Sequence, residues 1–140
     1  MIYLDTSFII PTLVQEATSD TVVEWLDRQG NGTLVTSAWA DTEVSSALSL
    51  KVRTTQISVE ERAKALSVWQ NMKSDIFRVV AVVPADFETA SRFLDQVELG
   101  LRAGDALHLA IAASNKLVLV TFDNRMAAAA AYYGIVVDPL

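Results

Sequence analysis

Two acidic side chains stand where predicted strands end. Asp5 directly follows the apolar run at residues 2–4, and Asp123 follows the apolar run at residues 117–121. Because an open parallel sheet binds ligands beyond the carboxyl ends of its strands, both carboxylates are expected at the same edge. Carboxylate oxygens are ligands for hard cations such as Mg²⁺ and Mn²⁺. The alternative interpretation of either acid is a turn residue at the start of a loop.

Two further acids lie on predicted helices. Glu43 has Trp39 four residues before it and Ala47 four residues after it, so its carboxylate shares the apolar face of the helix. A carboxylate in such a place is unfavourable unless a partner compensates its charge. Asp105 opens residues 106–113, which are apolar nearly all round and predict a buried helix. The alternatives are a partly exposed acid on an amphipathic helix for Glu43 and a helix cap for Asp105.

The composition restricts any metal site to oxygen ligands. The chain has no cysteine and one histidine, which excludes disulfides, thiolate zinc sites, a cysteine nucleophile and a histidine-rich metal site. That histidine, His108, follows Asp105 by three residues and is interpreted as partly buried and hydrogen-bonded rather than as a ligand or base. Four acids at the ligand-binding positions of a parallel α/β fold therefore predict a site for Mg²⁺ or Mn²⁺.

The hydrophobic periodicity predicts strands separated by helices. Strands are expected at residues 2–4, 33–36, 77–83, 117–121 and 135–137, with helices at residues 21–28, 37–53, from 58 onward, 87–97, 106–113 and 125–133. This alternation predicts an α/β fold with a central parallel sheet and helices on both faces. A chain of 140 residues with 51% hydrophobic residues is expected to form a single domain over residues 1–140.

The hydrophobic pattern and the net charge of the chain lead to expectations about its cellular location and its binding to nucleic acid. There is no apolar run long enough to span a membrane and no basic segment ahead of a long apolar one, so a cytoplasmic protein without a membrane partner is expected. The net charge of -6 argues against a protein that coats nucleic acid. Residues 51–78 nevertheless carry six basic against three acidic side chains, which fits either a phosphate-facing patch or a solvated helix surface.

Four segments resemble the motifs of the PIN-domain ribonucleases. They are Leu4-Asp5-Thr6-Ser7, Thr42-Glu43-Val44, Leu101-Arg102-Ala103-Gly104-Asp105-Ala106-Leu107-His108 and Thr121-Phe122-Asp123. Each motif alone is weak, but the ordered set spans nearly the whole chain. The short length and the segment at residues 102–108 most resemble the VapC toxins of bacterial and archaeal type II toxin–antitoxin systems.

The resemblance implies a PIN-like three-layer fold and an endoribonuclease that hydrolyses phosphodiester bonds in structured RNA such as tRNA or rRNA. It implies that Mg²⁺, or Mn²⁺, is held by four carboxylates and activates a water, the carboxylates being Asp5, Glu43, Asp105 and Asp123. Hydroxyl groups that orient the carboxylates would come from Thr6, Ser7 and Thr121. Candidate contacts to RNA phosphates are Arg102, Lys51 and Arg53, for which salt bridges or solvated surface are the alternatives.

Partners and rival functions complete the expectations. A cognate antitoxin that covers the acidic site and a homodimer are expected, since apolar surface is left for both. A phosphatase of the haloacid dehalogenase type would need an acid where the chain has Ser7, and a receiver domain would need a lysine after a late strand, whereas Lys116 precedes one. A housekeeping PIN nuclease of RNA maturation and a non-catalytic PIN-like binding module stay open as alternatives.

Overall fold

A four-stranded parallel sheet forms the centre of the computed structural model, which describes residues 1–140. The strands are β1 (Ile2–Leu4), β2 (Leu34–Ser37), β3 (Arg78–Val80) and β4 (Val118–Val120), and they lie in the order β3-β2-β1-β4. Tyr3 of β1 pairs with Val35 on one side and with Leu119 on the other. The carboxyl ends of β1 and β4 are therefore neighbours, and the loops that follow them meet at one edge.

Seven α-helices connect and cover the strands. They are α1 (Thr6–Leu13), α2 (Ser19–Asp27), α3 (Ala38–Arg53), α4 (Val59–Asp75), α5 (Pro84–Leu94), α6 (Ala103–Ser114) and α7 (Asn124–Tyr132), with a 3-10 helix at Val97–Leu99. A capping box between Ser58 and Glu61 begins α4, as the sequence predicts. None of these helices combines the length and the apolar character that crossing a membrane requires.

The core consists of two layers, one on each face of the sheet. Because successive side chains of a strand point to opposite faces, Tyr3 packs in one layer and Leu4 in the other. Helices α5, α6 and α7 cover the face of Tyr3, and helices α1 to α4 cover the face of Leu4. The predicted α/β fold, a parallel sheet with helices on both faces, is confirmed.

Two elements differ from the sequence prediction. Helix α1 was not predicted, and it contains Pro11, which is buried although proline disfavours helix interiors. The strand expected at residues 135–137 is reduced to one bridge between Leu119 and Val137. Gly134, with a φ of 71°, turns the chain after α7, and Pro139 lacks an N–H, so too few residues remain for a ladder.

Candidate active site

Asp5 is a buried carboxylate just beyond β1, with 4% of the residue exposed. It caps helix α1 by accepting a hydrogen bond from the backbone N–H of Phe8 at 3.2 Å. The hydroxyl of Ser7 donates to its Oδ1 at 2.8 Å, and that of Thr121 donates to its Oδ2 at 3.2 Å. Burial disfavours the charged form more than these bonds favour it, and it raises the pKa of Asp5 to about 6. The charge of His108 also lowers the pKa of Asp5, but burial outweighs it.

Glu43 projects from α3 toward the opposite layer of helices, and its side chain is 26% exposed. Its Oε2 accepts hydrogen bonds from Thr6 Oγ1 at 2.7 Å and from Nε2 of His108. Burial opposes its ionisation, but the bond and charge of His108, together with Thr6, outweigh burial and lower the pKa of Glu43. The partner that a carboxylate on an apolar helix face requires is therefore His108.

His108 forms the hydrogen bonds that were predicted for it, and it is more deeply buried than the partial burial that the sequence indicates. The residue is 2% exposed, and its second ring nitrogen, Nδ1, lies 2.7 Å from the hydroxyl of Tyr3. Its pairing with Glu43 is the feature that sequence reasoning missed. The sequence signal that could have indicated this pairing was the spacing of three residues between Asp105 and His108, which places both on the same face of α6.

Asp105 and Asp123 lie at the beginnings of α6 and α7. Oδ2 of Asp105 accepts from the backbone N–H of Arg102 at 3.3 Å. Asp123 caps α7, where its Oδ1 accepts from the backbone N–H groups of Arg125 and Met126 at 2.8 and 2.9 Å. Burial raises the pKa of Asp105, and the negative charges of Asp123 and Glu43 raise it further. Asp123 and Glu43 are thus each close enough to Asp105 to repel its carboxylate.

Gly104 provides the space that Glu43 occupies. A Cβ atom at this position would lie 2.8 Å from Glu43 Oε1 and 3.7 Å from Cζ2 of Trp39. The first distance is too short for a real contact, so the residue before Asp105 must lack a side chain if Glu43 is to stay in place. The indole N–H of Trp39 is buried there and contributes to lowering the pKa of Glu43. Neither role is visible in the sequence.

The donor chemistry of the four acids fits a hard divalent cation. The ion pairs of the chain are Lys51 with Glu16, Lys73 with Asp41 and His108 with Glu43, so no cationic side chain is within ion-pair distance of Asp5, Asp105 or Asp123. The charge of His108 lowers the pKa of Asp5 and that of Arg102 lowers the pKa of Asp105, but neither outweighs burial. An ion such as Mg²⁺ would balance this negative charge through oxygen ligands. The side chains are not drawn together around one point, since no group of three or more acids or histidines is placed to hold an ion.

The three basic residues singled out in the sequence differ in their surroundings. Lys51 pairs with Glu16 at 2.5 Å and, with Thr6, lines a groove of about 510 Å³ beside the acids. Arg53 is exposed at the end of α3, outside any ion pair. Arg102 is exposed at the beginning of α6, where its positive charge lies near the carboxylate of Asp105.

The PIN domain family model matches residues 2–132. The chain belongs to the PIN-domain family. This PIN domain is 33% identical over 135 residues to Ribonuclease VapC35 of Mycobacterium tuberculosis, and the match covers 93% of this chain and 90% of the relative. The resemblance to VapC-type PIN domains is therefore confirmed by sequence comparison.

Solved structures share the fold of this PIN domain. VapC20 of Mycobacterium tuberculosis, a Sarcin-Ricin loop cleaving toxin, superposes with a TM-score of 0.74 at 20% identity, covering 92% of this chain and 95% of VapC20. VapBC2 from Rickettsia felis, bound to a promoter DNA fragment, superposes with a TM-score of 0.67 at 13% identity and covers 99% of this chain and 98% of that one. At these identities the superpositions establish the fold.

Proposed function

We propose that this PIN domain is a metal-dependent endoribonuclease and the toxin of a type II toxin–antitoxin module. The observation that carries the proposal is Asp5, whose carboxylate is 4% exposed, lacks an ion-pair partner and has a pKa raised to about 6. A buried acid of this kind at the sheet edge where β1 and β4 end favours a cation site. The similarity to a VapC ribonuclease over 93% of the chain supports RNA as the substrate.

The side chains have distinct tasks in such a nuclease. Mg²⁺, or Mn²⁺, would be held by Asp5, Glu43, Asp105 and Asp123. A bound divalent cation supplies the Lewis acidity that hydrolysis of a phosphodiester needs. Ser7 and Thr121 fix the two oxygens of Asp5, and Thr6 fixes one oxygen of Glu43, so these hydroxyls keep the acids oriented. No side chain of the protein has to form a covalent intermediate.

RNA cleavage by the purified protein tests this proposal. We expect discrete fragments from total cellular RNA with Mg²⁺ or Mn²⁺, and none with EDTA or with Asp105→Asn, because the amide supplies less charge to the cation. Asp86→Asn is the matched control, since Asp86 occupies the same capping position at the start of α5 as Asp105 does in α6. Cleavage that survives EDTA would contradict the proposal, and absence of cleavage would favour a non-catalytic binding module.

The same assay addresses the contacts to RNA. We propose that Arg102, Arg53 and Lys51 bind phosphates of a structured RNA such as tRNA or rRNA. Replacing Arg102 or Arg53 by alanine is expected to raise KM and to reduce the dependence of KM on salt, since each phosphate contact releases counterions. Lys51→Ala should have a smaller effect because Glu16 already pairs with Lys51. Equal effects from Arg92→Ala, which removes an exposed arginine of α5, would show that the assay reports total charge alone.

An antitoxin and a second copy of the chain are the proposed partners. Apolar side chains on α4 are left in solvent, with Val59 66% exposed and Val68 44% exposed, which supports a protein-binding surface. Light scattering of the purified chain is expected to give about twice its mass of 15.3 kDa. The antitoxin is expected to co-purify when both are expressed and to block cleavage by covering the acids. A monomer would contradict the first expectation, and a bound partner that permits cleavage would contradict the second.

A further inference from the structure

A chain of hydrogen bonds links the interior of the sheet to Glu43. Ser37 Oγ lies 2.8 Å from the hydroxyl of Tyr3, and that hydroxyl lies 2.7 Å from Nδ1 of His108. Nε2 of His108 then contacts Oε2 of Glu43. Tyr3 and Ser37 are fully buried and His108 is 2% exposed, so water does not compete for these bonds. The chain joins two strands to two helices of opposite layers.

The chemistry of Glu43 determines which atom donates and which accepts at one end of this chain of hydrogen bonds. Thr6 donates to the same Oε2 of Glu43 that His108 contacts, and an ionised carboxylate only accepts hydrogen bonds. Nε2 of His108 therefore carries the proton of this contact. Because Tyr3 engages the other ring nitrogen, the imidazole cannot rotate without breaking a bond at each end. The orientation of the imidazole is therefore set by Tyr3 and Ser37, which are fully buried in the sheet.

The consequence for Glu43 is that its two oxygens differ. Oε2 receives both His108 and Thr6, whereas Oε1 takes part in neither bond. Oε1 faces Gly104, the residue before Asp105, at the place where a Cβ would lie 2.8 Å away. One oxygen is thus tied to the protein and the other is directed toward the beginning of α6.

We propose that His108, held by Tyr3, is a positioning residue that orients the Glu43 carboxylate with Oε1 directed toward Asp105. The inference rests on the proposed function in one respect, since it assigns Glu43 as a ligand of the metal. His108 acts through Glu43 and needs no contact with substrate. Groups that hold metal ligands in this way typically contribute about 10-fold to 100-fold in metal affinity.

The first test uses the metal-free protein. His108 is the single histidine of the chain, so a ¹⁵N-histidine spectrum contains one imidazole. We expect a slowly exchanging proton on Nε2 that moves upfield in Glu43→Gln and exchanges faster in Tyr3→Phe. An Nε2 proton that exchanges freely in the wild-type protein would overturn the inference, whatever the protein does with metal or RNA.

The second test measures Mn²⁺ affinity by calorimetry. His108→Leu and Tyr3→Phe are expected to weaken binding by about 10-fold to 100-fold, and His108→Gln to recover part of it, because its amide N–H can reach Glu43. The control is Ser114→Ala, which removes another partly buried hydrogen bond of α6, to Asp86. Unchanged affinity in folded Tyr3→Phe, which keeps the ring packing, would overturn the inference even if His108→Leu fails to fold. Failure of the wild-type protein to bind Mn²⁺ would instead overturn the proposed function.

Discussion

Asp5→Asn is expected to abolish RNA cleavage while raising the stability of the metal-free protein at neutral pH. Burial of the carboxylate outweighs the groups that favour its charge, so that charge destabilises the metal-free protein. Asparagine removes that charge and keeps an oxygen that can accept from Ser7 and from the backbone of Phe8. Loss of function would then accompany a gain in stability, which is typical of a residue selected for its chemistry.

The pH dependence of this gain follows from the pKa of Asp5. An aspartate ordinarily has a pKa of 3.8, whereas that of Asp5 in the folded protein is about 6. Between these values the folded protein retains a proton that the unfolded chain has lost, so the free energy of unfolding falls as the pH rises. The stabilisation is complete below 3.8 and lost above about 6, a difference of about 3 kcal/mol.

Denaturant unfolding with EDTA at about pH 7.5 and about pH 4 measures this effect. Asp5→Asn should exceed the wild-type protein by up to about 3 kcal/mol at the higher pH and show little difference at the lower one. Asp86→Asn is the control, because Asp86 is a buried acid, 2% exposed, outside the acidic site, and its replacement should leave cleavage intact. Lower stability of Asp5→Asn at about pH 7.5 would mean that Asp5 serves mainly as the cap of α1.

Gly104→Ala is expected to reduce cleavage by about 100-fold in a protein that remains folded. The new methyl group would lie 2.8 Å from Glu43 Oε1, so the carboxylate must move. A displacement of about 1 Å in an active site is sufficient for a loss of this size. The substitution otherwise favours helix α6, since alanine is preferred to glycine in a helix by about 0.5–1 kcal/mol. Gly104→Ala should therefore lower the rate of cleavage while it raises the helix propensity of α6.

Cleavage rates and melting temperatures of two glycine variants distinguish this explanation from a general effect. Gly30→Ala is the control, because its methyl group would meet only Thr33 Cγ2, at an ordinary 3.7 Å, and Gly30 lies outside the acidic site. It should keep wild-type cleavage. Wild-type cleavage by Gly104→Ala as well would show that the position of Glu43 does not limit the reaction.

The sequence was sufficient to place the acids but not their partners. Asp5 and Asp123 follow apolar runs whose periodicity is local, and a local pattern is what sequence reasoning detects. The pairing of Glu43 with His108 joins residues 65 positions apart, and that of Tyr3 with His108 joins residues 105 apart. Such contacts depend on how the layers pack, which no periodicity encodes. Helix α1 illustrates the same limit, because the local preference of Pro11 against a helix interior is overridden by burial of the helix in the fold.

Three of the four acids also cap helices, and this has an electrostatic consequence. Asp5, Asp105 and Asp123 lie at the amino-terminal ends of α1, α6 and α7, where the peptide dipoles concentrate partial positive charge. These dipoles offset part of the repulsion among the carboxylates without lysine or arginine side chains, which would compete with a cation for the same oxygens. Unlike a side chain, a helix dipole cannot swing away. The backbone therefore offsets this repulsion in the same way whether or not an ion is bound.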